Sequence, residues 1–355
     1  MRSRPDPPRA PRALARRGAA LRPRGVPRDL ARPAGPGVTK RGRGGSSGDR
    51  TAEIRYGKAQ VSFYRTYAKP LRVTPIPESA FTGRENVLFA AEVDVDVFGD
   101  TFLDAYTAGD NRDVVATDTM KNFVYTMALE YEGATLEGFL AFLGRRFLQT
   151  YPQMEALRVR GREAPFVPAT SLDANAQRVG PSSILFSRSR DDTAVAEVDL
   201  AREDLSPRVT AATSGREGMQ LIKVTGSSFA EFHRDAHTTL PETTDRPLFI
   251  HLDVRWRYAD LVDAIGDRVD RYVDPEQIRD LVHCAFHEFN SRSIQHLVHE
   301  IGRRVLARCP QLAEVSFEAQ NRTWETARVS ESDERVKVYT DPHATFGRIG
   351  LVLRR

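Results

Sequence analysis

Two short stretches hold residue types able to do chemistry. In GDNRDVVATDTMKNFVY, Gly109–Tyr125, the apolar run Val114-Val115-Ala116 stops at Thr117-Asp118, and a helical pattern begins at once with Met120, Phe123, Val124 and Met127. Thr and Asp are ordinary helix N-caps, because their side-chain oxygens accept the free N–H groups of a first turn. Taken alone, the pair reads as a cap; a hydroxyl placed there could also move a proton. The second stretch is HCAFH, with His283 and His287 at i, i+4 on one face of a helix. That spacing can ligate zinc, yet the glutamate that follows the first histidine of a zincin helix is absent. A polar helix face is the plainer reading.

Composition separates a tail from a body. Residues 1–50 hold 14 basic and 3 acidic groups, together with 8 of the 21 prolines and 8 of the 24 glycines. The overall charge of +4 therefore hides a body, 51–355, that is net −7. The tail cannot bury enough apolar surface to offset ordering and reads as disordered. Its pI contribution is poor evidence for a nucleic-acid-binding fold. An organellar presequence is disfavoured by the prolines, and an over-extended reading frame is the plain alternative. No run of about 18 apolar residues exists, so no membrane span is expected. Two cysteines, Cys284 and Cys309, fall in helical patterns and read as free thiols of a reduced compartment.

The elements that must position such residues come from a repeat. GRRFLQTYPQ (Gly144–Gln153) returns as GRRVLARCPQ (Gly302–Gln311), an offset of 158 residues. At that offset Leu136, Phe139, Leu140, Leu143 and Phe147 fall on Ile294, Leu297, Val298, Ile301 and Val305, one apolar helical stripe twice. The preceding helix repeats as well, its Thr117-Asp118 start facing Asp274-Pro275, a cap with proline in the first turn. Strand patterns surround each helix pair: Ile54–Tyr67, Val87–Phe98, Ala156–Ala164 and Ile184–Leu200, then Met219–Val224, Leu248–Tyr258, Ala313–Gln320 and Arg335–Tyr339. The expected fold is α+β, two antiparallel sheet and helix-pair repeats at 51–205 and 206–355. Open sheet edges favour closure into a barrel by oligomerisation.

Five motifs in order carry a family resemblance: RYGK at Arg55–Lys58, the stretch at Gly109–Tyr125, SSFAEFHRDAHTTLPETTDR at Ser227–Arg246, SIQ at Ser293–Gln295, and Gln320-Asn321. Together they resemble urate oxidase (uricase), over about residues 54–350. The resemblance implies a tandem T-fold that assembles as a homotetramer around a tunnel, with active sites at subunit interfaces. It implies oxidation of urate by dioxygen and water to 5-hydroxyisourate and hydrogen peroxide, with no metal or organic cofactor. By resemblance Lys58 and Thr117 are the catalytic lysine and threonine. Asp118 offers a backbone N–H to the purine, Phe229 stacks on it, and Arg246 and Gln295 clamp it. Ile294 matches a backbone contact and Asn321 the oxygen-site asparagine.

These residue types suit the substrate. A planar Arg fork fits the edge of an anionic heterocycle, each charge-assisted bond contributing about 1.5–3 kcal/mol. Gln295 offers a donor and an acceptor, and stacking on Phe229 is worth roughly 1–3 kcal/mol for a base-like ring. Thr117 Oγ is a weak base alone but can relay a proton to a neutral Lys58 amine. One position departs from the family: two residues after Asn321, where a histidine completes the relay, stands Thr323, which does not titrate near neutrality. A water, a two-residue relay, or another histidine such as His343 then remains for the third role. Other readings are a zinc-dependent T-fold pterin or purine enzyme, marked by EDTA sensitivity, and a non-catalytic purine-binding T-fold protein. A tail that binds nucleic acid would show salt-sensitive binding. The chain ends LVLRR and not in a peroxisomal Ser-Lys-Leu, so the expectation is a cytoplasmic enzyme, with no nucleic-acid or membrane partner.

Overall fold

Alternation of Val93, Val95 and Val97 with Asp94 and Asp96 makes a strand that is apolar on one face and charged on the other. The same rule builds most of the chain. The computed structural model describes residues 53–172, 178–188, 191–265, 268 and 270–355, so the basic tail at 1–50 lies outside the described residues. In the first half β1 (Arg55–Thr66) and β2 (Leu88–Phe98) precede α1 (Thr117–Glu130) and α2 (Leu136–Thr150), followed by β3 (Ala156–Glu163) and β4 (Thr193–Glu203). The second half repeats the order with β5 (Ser206–Lys223), β6 (Leu248–Tyr258), α3 (Pro275–Glu288), α4 (Ile294–Arg308), β7 (Leu312–Arg322) and β8 (Gly347–Arg354). The eight strands form one antiparallel sheet in chain order, so β1 and β8 are its edges. The α+β expectation is met, and α3 and α4 start and end 158 residues after α1 and α2.

The helices cover one face. Their stripes of Met120, Val124, Leu140, Phe147, Ile278, Leu297 and Ile301 join the buried strand residues in one continuous core. The other face carries a charged ladder across β2 to β6. Arg158 bonds Asp199 at 2.7 and 2.9 Å, Arg160 bonds Glu197 and Asp96 at 2.7 Å, and Arg162 and Arg255 share Glu217.

The repeat extends to the helix ends, where backbone carbonyls lack intrahelical partners. Arg65 donates to Ala128 O at 2.9 Å and to Tyr131 O beyond α1. At the offset, Lys223 donates to Phe286 O and Phe289 O beyond α3 at 2.9 and 3.0 Å. Arg202 closes α2 through Leu148 O and Tyr151 O, and Arg355 closes α4 through Leu306 O and Cys309 O. Cations there also oppose the negative helix end.

Three strand expectations need correction. The run Ile184–Leu200 is two strands: Val179–Arg188 folds with Phe166–Leu172 into a side hairpin, and the sheet strand is β4. Arg335–Tyr339 is not in the sheet; Lys337–Tyr339 pairs with Thr326–Val329 in the matching side hairpin of the second half. The sheet position belongs to β8, and Met219–Val224 is only the end of the 18-residue β5. Among the described residues no helix is long and apolar enough to cross a membrane. Cys284 and Cys309 are free, the latter buried with its thiol pushed up to about 12 by desolvation.

Candidate active site

Lys58 stands on a β-bulge. Pairing of β1 with β2 shifts register between Lys58 and Val61, and Gln60 takes φ 60° with its N–H on Asp94 Oδ1 at 2.7 Å. Before it, Gly57 passes so close to β2 that a Cβ would lie 1.9 Å from Val95 O, so only glycine fits. The bulge re-aims Lys58 out of the pleat, half-exposed, and among the described residues it has no carboxylate in ion-pair distance.

Thr117 is the first residue of α1, not its cap. The N-cap is Ala116, which has no side chain to accept a bond. The N–H groups of Thr117, Asp118 and Thr119 precede the first helical bond, from Met120 N–H to Ala116 O at 3.1 Å. The capping expectation for Thr117-Asp118 is therefore wrong, and the helix presents an uncapped positive end. Both residues are exposed. Lys121 bonds the Asp118 carboxylate and holds it below the usual range, with a smaller pull from Lys58, which places the amine on this side of the helix start. What fixes the loop is a residue that sequence reasoning passed over. The Tyr56 hydroxyl accepts the Val115 N–H at 3.2 Å and its ring packs edge-on against Phe102 at 4.9 Å. RYGK contained that tyrosine, but its partner lies 59 residues away.

A second cluster is built by the long loop between β5 and β6. Phe229 and Thr243 exchange backbone bonds at 2.8 and 2.9 Å, Arg246 N–H bonds Ser227 O at 2.8 Å, and Ser228 N–H bonds Ser291 O at 2.8 Å. This lashes Phe229 and Arg246 to the segment entering α4, where Ser293 is the cap and Ile294 and Gln295 open the helix. Ile294 is buried and Gln295 exposed. Phe229 stacks on Phe232 at 4.8 Å, which occupies one ring face, and the Arg246 guanidinium lies 5.5 Å from its centroid. Arg246 Nε is buried without a hydrogen-bond partner, and desolvation pushes the guanidinium pKa down. A half-buried guanidinium whose Nε is buried and unpartnered is costly unless something supplies an acceptor.

Asn321 lies on β7, half-buried, opposite Ile250 and so on the helix side of the sheet. Thr323 follows just past the strand, and its carbonyl accepts the His343 N–H at 2.9 Å. The histidine named as a stand-in is thus adjacent to the position it would replace, but its Nε2 points to Glu325 at 3.6 Å. His283 and His287 both face solvent on α3.

The two clusters do not meet within one chain. Lys58 is on the first strand of the sheet and Asn321 on the seventh, so about 29 Å of hydrogen-bonded sheet separates them at roughly 4.8 Å per step.

Comparison with known proteins places this arrangement. The family model described as Uricase matches residues 54–197 and 212–350. The uricase of Haloferax volcanii is 48% identical over 295 residues, 83% of this chain and 96% of its own, and that of Halalkalicoccus jeotgali is 49% identical over 297 residues, 83% of this chain and 95% of its own. Among solved structures, the urate oxidase of Bacillus sp. TB-90 aligns with a TM-score of 0.82 at 42% identity, covering 85% of this chain and 99% of that one.

Proposed function

The chain belongs to the uricase family, and from that premise we propose that it is a urate oxidase, converting urate, dioxygen and water into 5-hydroxyisourate and hydrogen peroxide without a cofactor. The observation that carries the reading is Arg246, a cation desolvated beside an aromatic ring with its Nε unpartnered. A flat anionic heterocycle would satisfy both, giving the guanidinium its charge and lying against the Phe229 ring beside it. Gln295 would bond the same edge of the purine, with Ile294 contributing backbone.

The opposite edge falls to the other cluster. The Asp118 N–H at the open end of α1 suits a ring nitrogen or oxygen carrying negative charge. Thr117 Oγ would take a urate proton and pass its own to Lys58, leaving an electron-rich dianion. Two electrons then leave the ring for dioxygen, held near Asn321, and water adds to C5 of the oxidised ring. Peroxide carries off the two electrons and two protons. The protein's part is to orient, exclude water and move protons.

The separation of the clusters along the sheet supports a site shared between two copies, each lending one cluster. A homotetramer whose repeats, 51–205 and 206–355, close into a barrel around the charged face meets that need. The enzyme is assigned to the cytoplasm, with urate and dioxygen as its small-molecule partners and no nucleic acid or membrane among them.

The test is aerobic incubation of EDTA-treated protein with urate, following urate absorbance and peroxide. Turnover of metal-stripped protein is expected. Activity that returns only on adding zinc or copper would reject the cofactor-free reaction and favour a metal-dependent T-fold enzyme.

A further inference from the structure

The 158-residue offset carries the candidate site to a second place in the same chain. Lys58 falls on Arg216, Thr117 on Pro275, Asp118 on Glu276, Gln295 on Glu137 and Asn321 on Glu163. The local devices are copied too. Arg216 stands before a register shift in β5 and β6, and Gly218, at φ 82°, donates to Asp253 Oδ1 at 2.7 Å as Gln60 does to Asp94. In the open copy the corresponding residues lie on strands far apart. In this copy they come together between the two repeats of one chain.

The polar contacts that the open copy leaves for a ligand at Lys58, Arg246, Asp118 and Gln295 have internal partners here. Arg216 bonds Glu276 at 2.8 Å and Asp192 at 2.6 Å, whereas Lys58 has no such partner. Arg84, on the loop between β1 and β2 that matches the loop of Arg246, makes a two-point bond to Glu163. Asp274 accepts the Glu276 N–H at 2.7 Å, the position of the N–H that Asp118 leaves open. Tyr272 falls on Val114 at the offset, and its hydroxyl donates to Glu137 Oε2 at 3.0 Å. Glu137 is 1% exposed and Tyr272 is buried.

We propose that the junction between the repeats is a second copy of the substrate site, built for a flat heterocycle with N–H and C=O groups on its edges, and closed because Tyr272 and Asp274 occupy the ligand's place. The proposal rests on Gln295 being a substrate clamp, since Glu137 is identified through it. The phenol O–H meets Glu137 as a purine N–H would meet the Gln295 carbonyl. The Asp274 carboxylate sits at the start of α3 as an anionic ring edge would sit at the start of α1. Arg84 already has its anion where Arg246 lacks one. Each chain then offers half of two open sites and the whole of one closed site.

Two variants import the open copy's residues. Equilibrium dialysis with xanthine, a purine without the C8 oxygen of urate, should give one equivalent per chain for the unmodified protein. The double variant Tyr272→Val, Glu137→Gln should bind a second equivalent. A folded double variant that still binds one overturns the proposal. Adding Arg246→Lys should weaken the first equivalent only; if that equivalent is unaffected, the catalytic reading fails instead.

Glu137→Gln alone tests the site without a cavity. Burial pushes the Glu137 carboxyl up to about 7, and the groups that face it are Tyr272, Tyr258 and Glu163, with Asp274 and Arg84 behind them. A raised acid contributes stability while it is protonated and loses it as pH rises through about 7. The neutral amide of the variant should leave the melting temperature nearly unchanged at about pH 4, below the unfolded carboxyl's ordinary value, and raise it increasingly up to about pH 8.5. A lower melting temperature at about pH 8.5 would mean that Glu137 is needed as a carboxylate, and the equivalence with Gln295 would fall.

Discussion

The N-termini of α1 and α3 are built on the same backbone and finished in opposite ways. Ala116 has φ −56° and ψ 135°, Asp274 has φ −77° and ψ 135°, yet only the aspartate closes its helix. Thr135 and Ser293 cap α2 and α4 by accepting the N–H of the third helical residue, and cations close all four C-termini. Of the eight ends of these four helices one is left open, and it is the one that carries Thr117 and Asp118. An N-cap is worth about 1 kcal/mol. Giving it up where the same fold supplies it elsewhere is the mark of N–H groups kept for another partner.

Lys58→Met should break the contrast hardest. It removes the proposed proton acceptor while leaving the proposed ring contacts alone, so turnover should fall by about 10²-fold or more with xanthine binding retained. Turnover close to that of the unmodified protein would end the relay. Arg216→Met, at the closed copy, should instead destabilise the chain, because it takes the Arg216 cation from half-buried Asp192 and from Glu276, which keeps Arg279.

Arg246→Lys comes next. It keeps the charge and loses the fork, so urate affinity should drop by about 1.5–3 kcal/mol, the worth of one charge-assisted bond. An unchanged apparent affinity in initial-rate measurements would remove Arg246 from the site.

What the sequence made legible follows from where the information is local. Four helices and their repeat could be read because each buries a stripe at spacings of three and four. The cap at Thr117 could not, since residue preference favours Thr and Asp over Ala and only the tertiary course of the loop, held by Tyr56, shifts the start by one position. The final strand β8 was missed because it lies at a sheet edge with five of its eight residues exposed and two glycines, which weakens the alternation. The Ile184–Leu200 run was over-read because two adjacent strands belong to different sheets. Site residues such as Phe229 and Arg246 were named through family resemblance. The bulge under Lys58 needed coordinates, since it depends on one positive φ and on Asp94 from another strand.

Ala116→Asp would transfer the closed ending to the open copy. With the backbone already suited, the new carboxylate should accept the Asp118 N–H and stabilise the chain by about 1 kcal/mol, visible as a higher melting temperature. The same bond would occupy the N–H proposed to meet urate, so the Michaelis constant should rise. A variant that melts higher with unchanged kinetics would show that the open end serves no substrate.

The smallest effect concerns the missing histidine. In the family relay an imidazole would stand at Thr323, and the replacement named above is His343, whose N–H is tied to the Thr323 carbonyl at 2.9 Å. The backbone is adjacent, but the imidazole turns outward to Glu325 and is 48% exposed. A group so placed is turned away from the position it would have to fill. His343→Ala should therefore change turnover by less than about threefold, well short of the 10²–10⁴-fold expected for a positioned acid or base. Thr323→His should add an inflection near 6.5, the ordinary imidazole range, to the pH profile of turnover. If His343→Ala instead loses most of the rate while xanthine still binds, the imidazole must swing inward when two chains meet, and the third member of the relay will have moved along the hairpin while its function was kept.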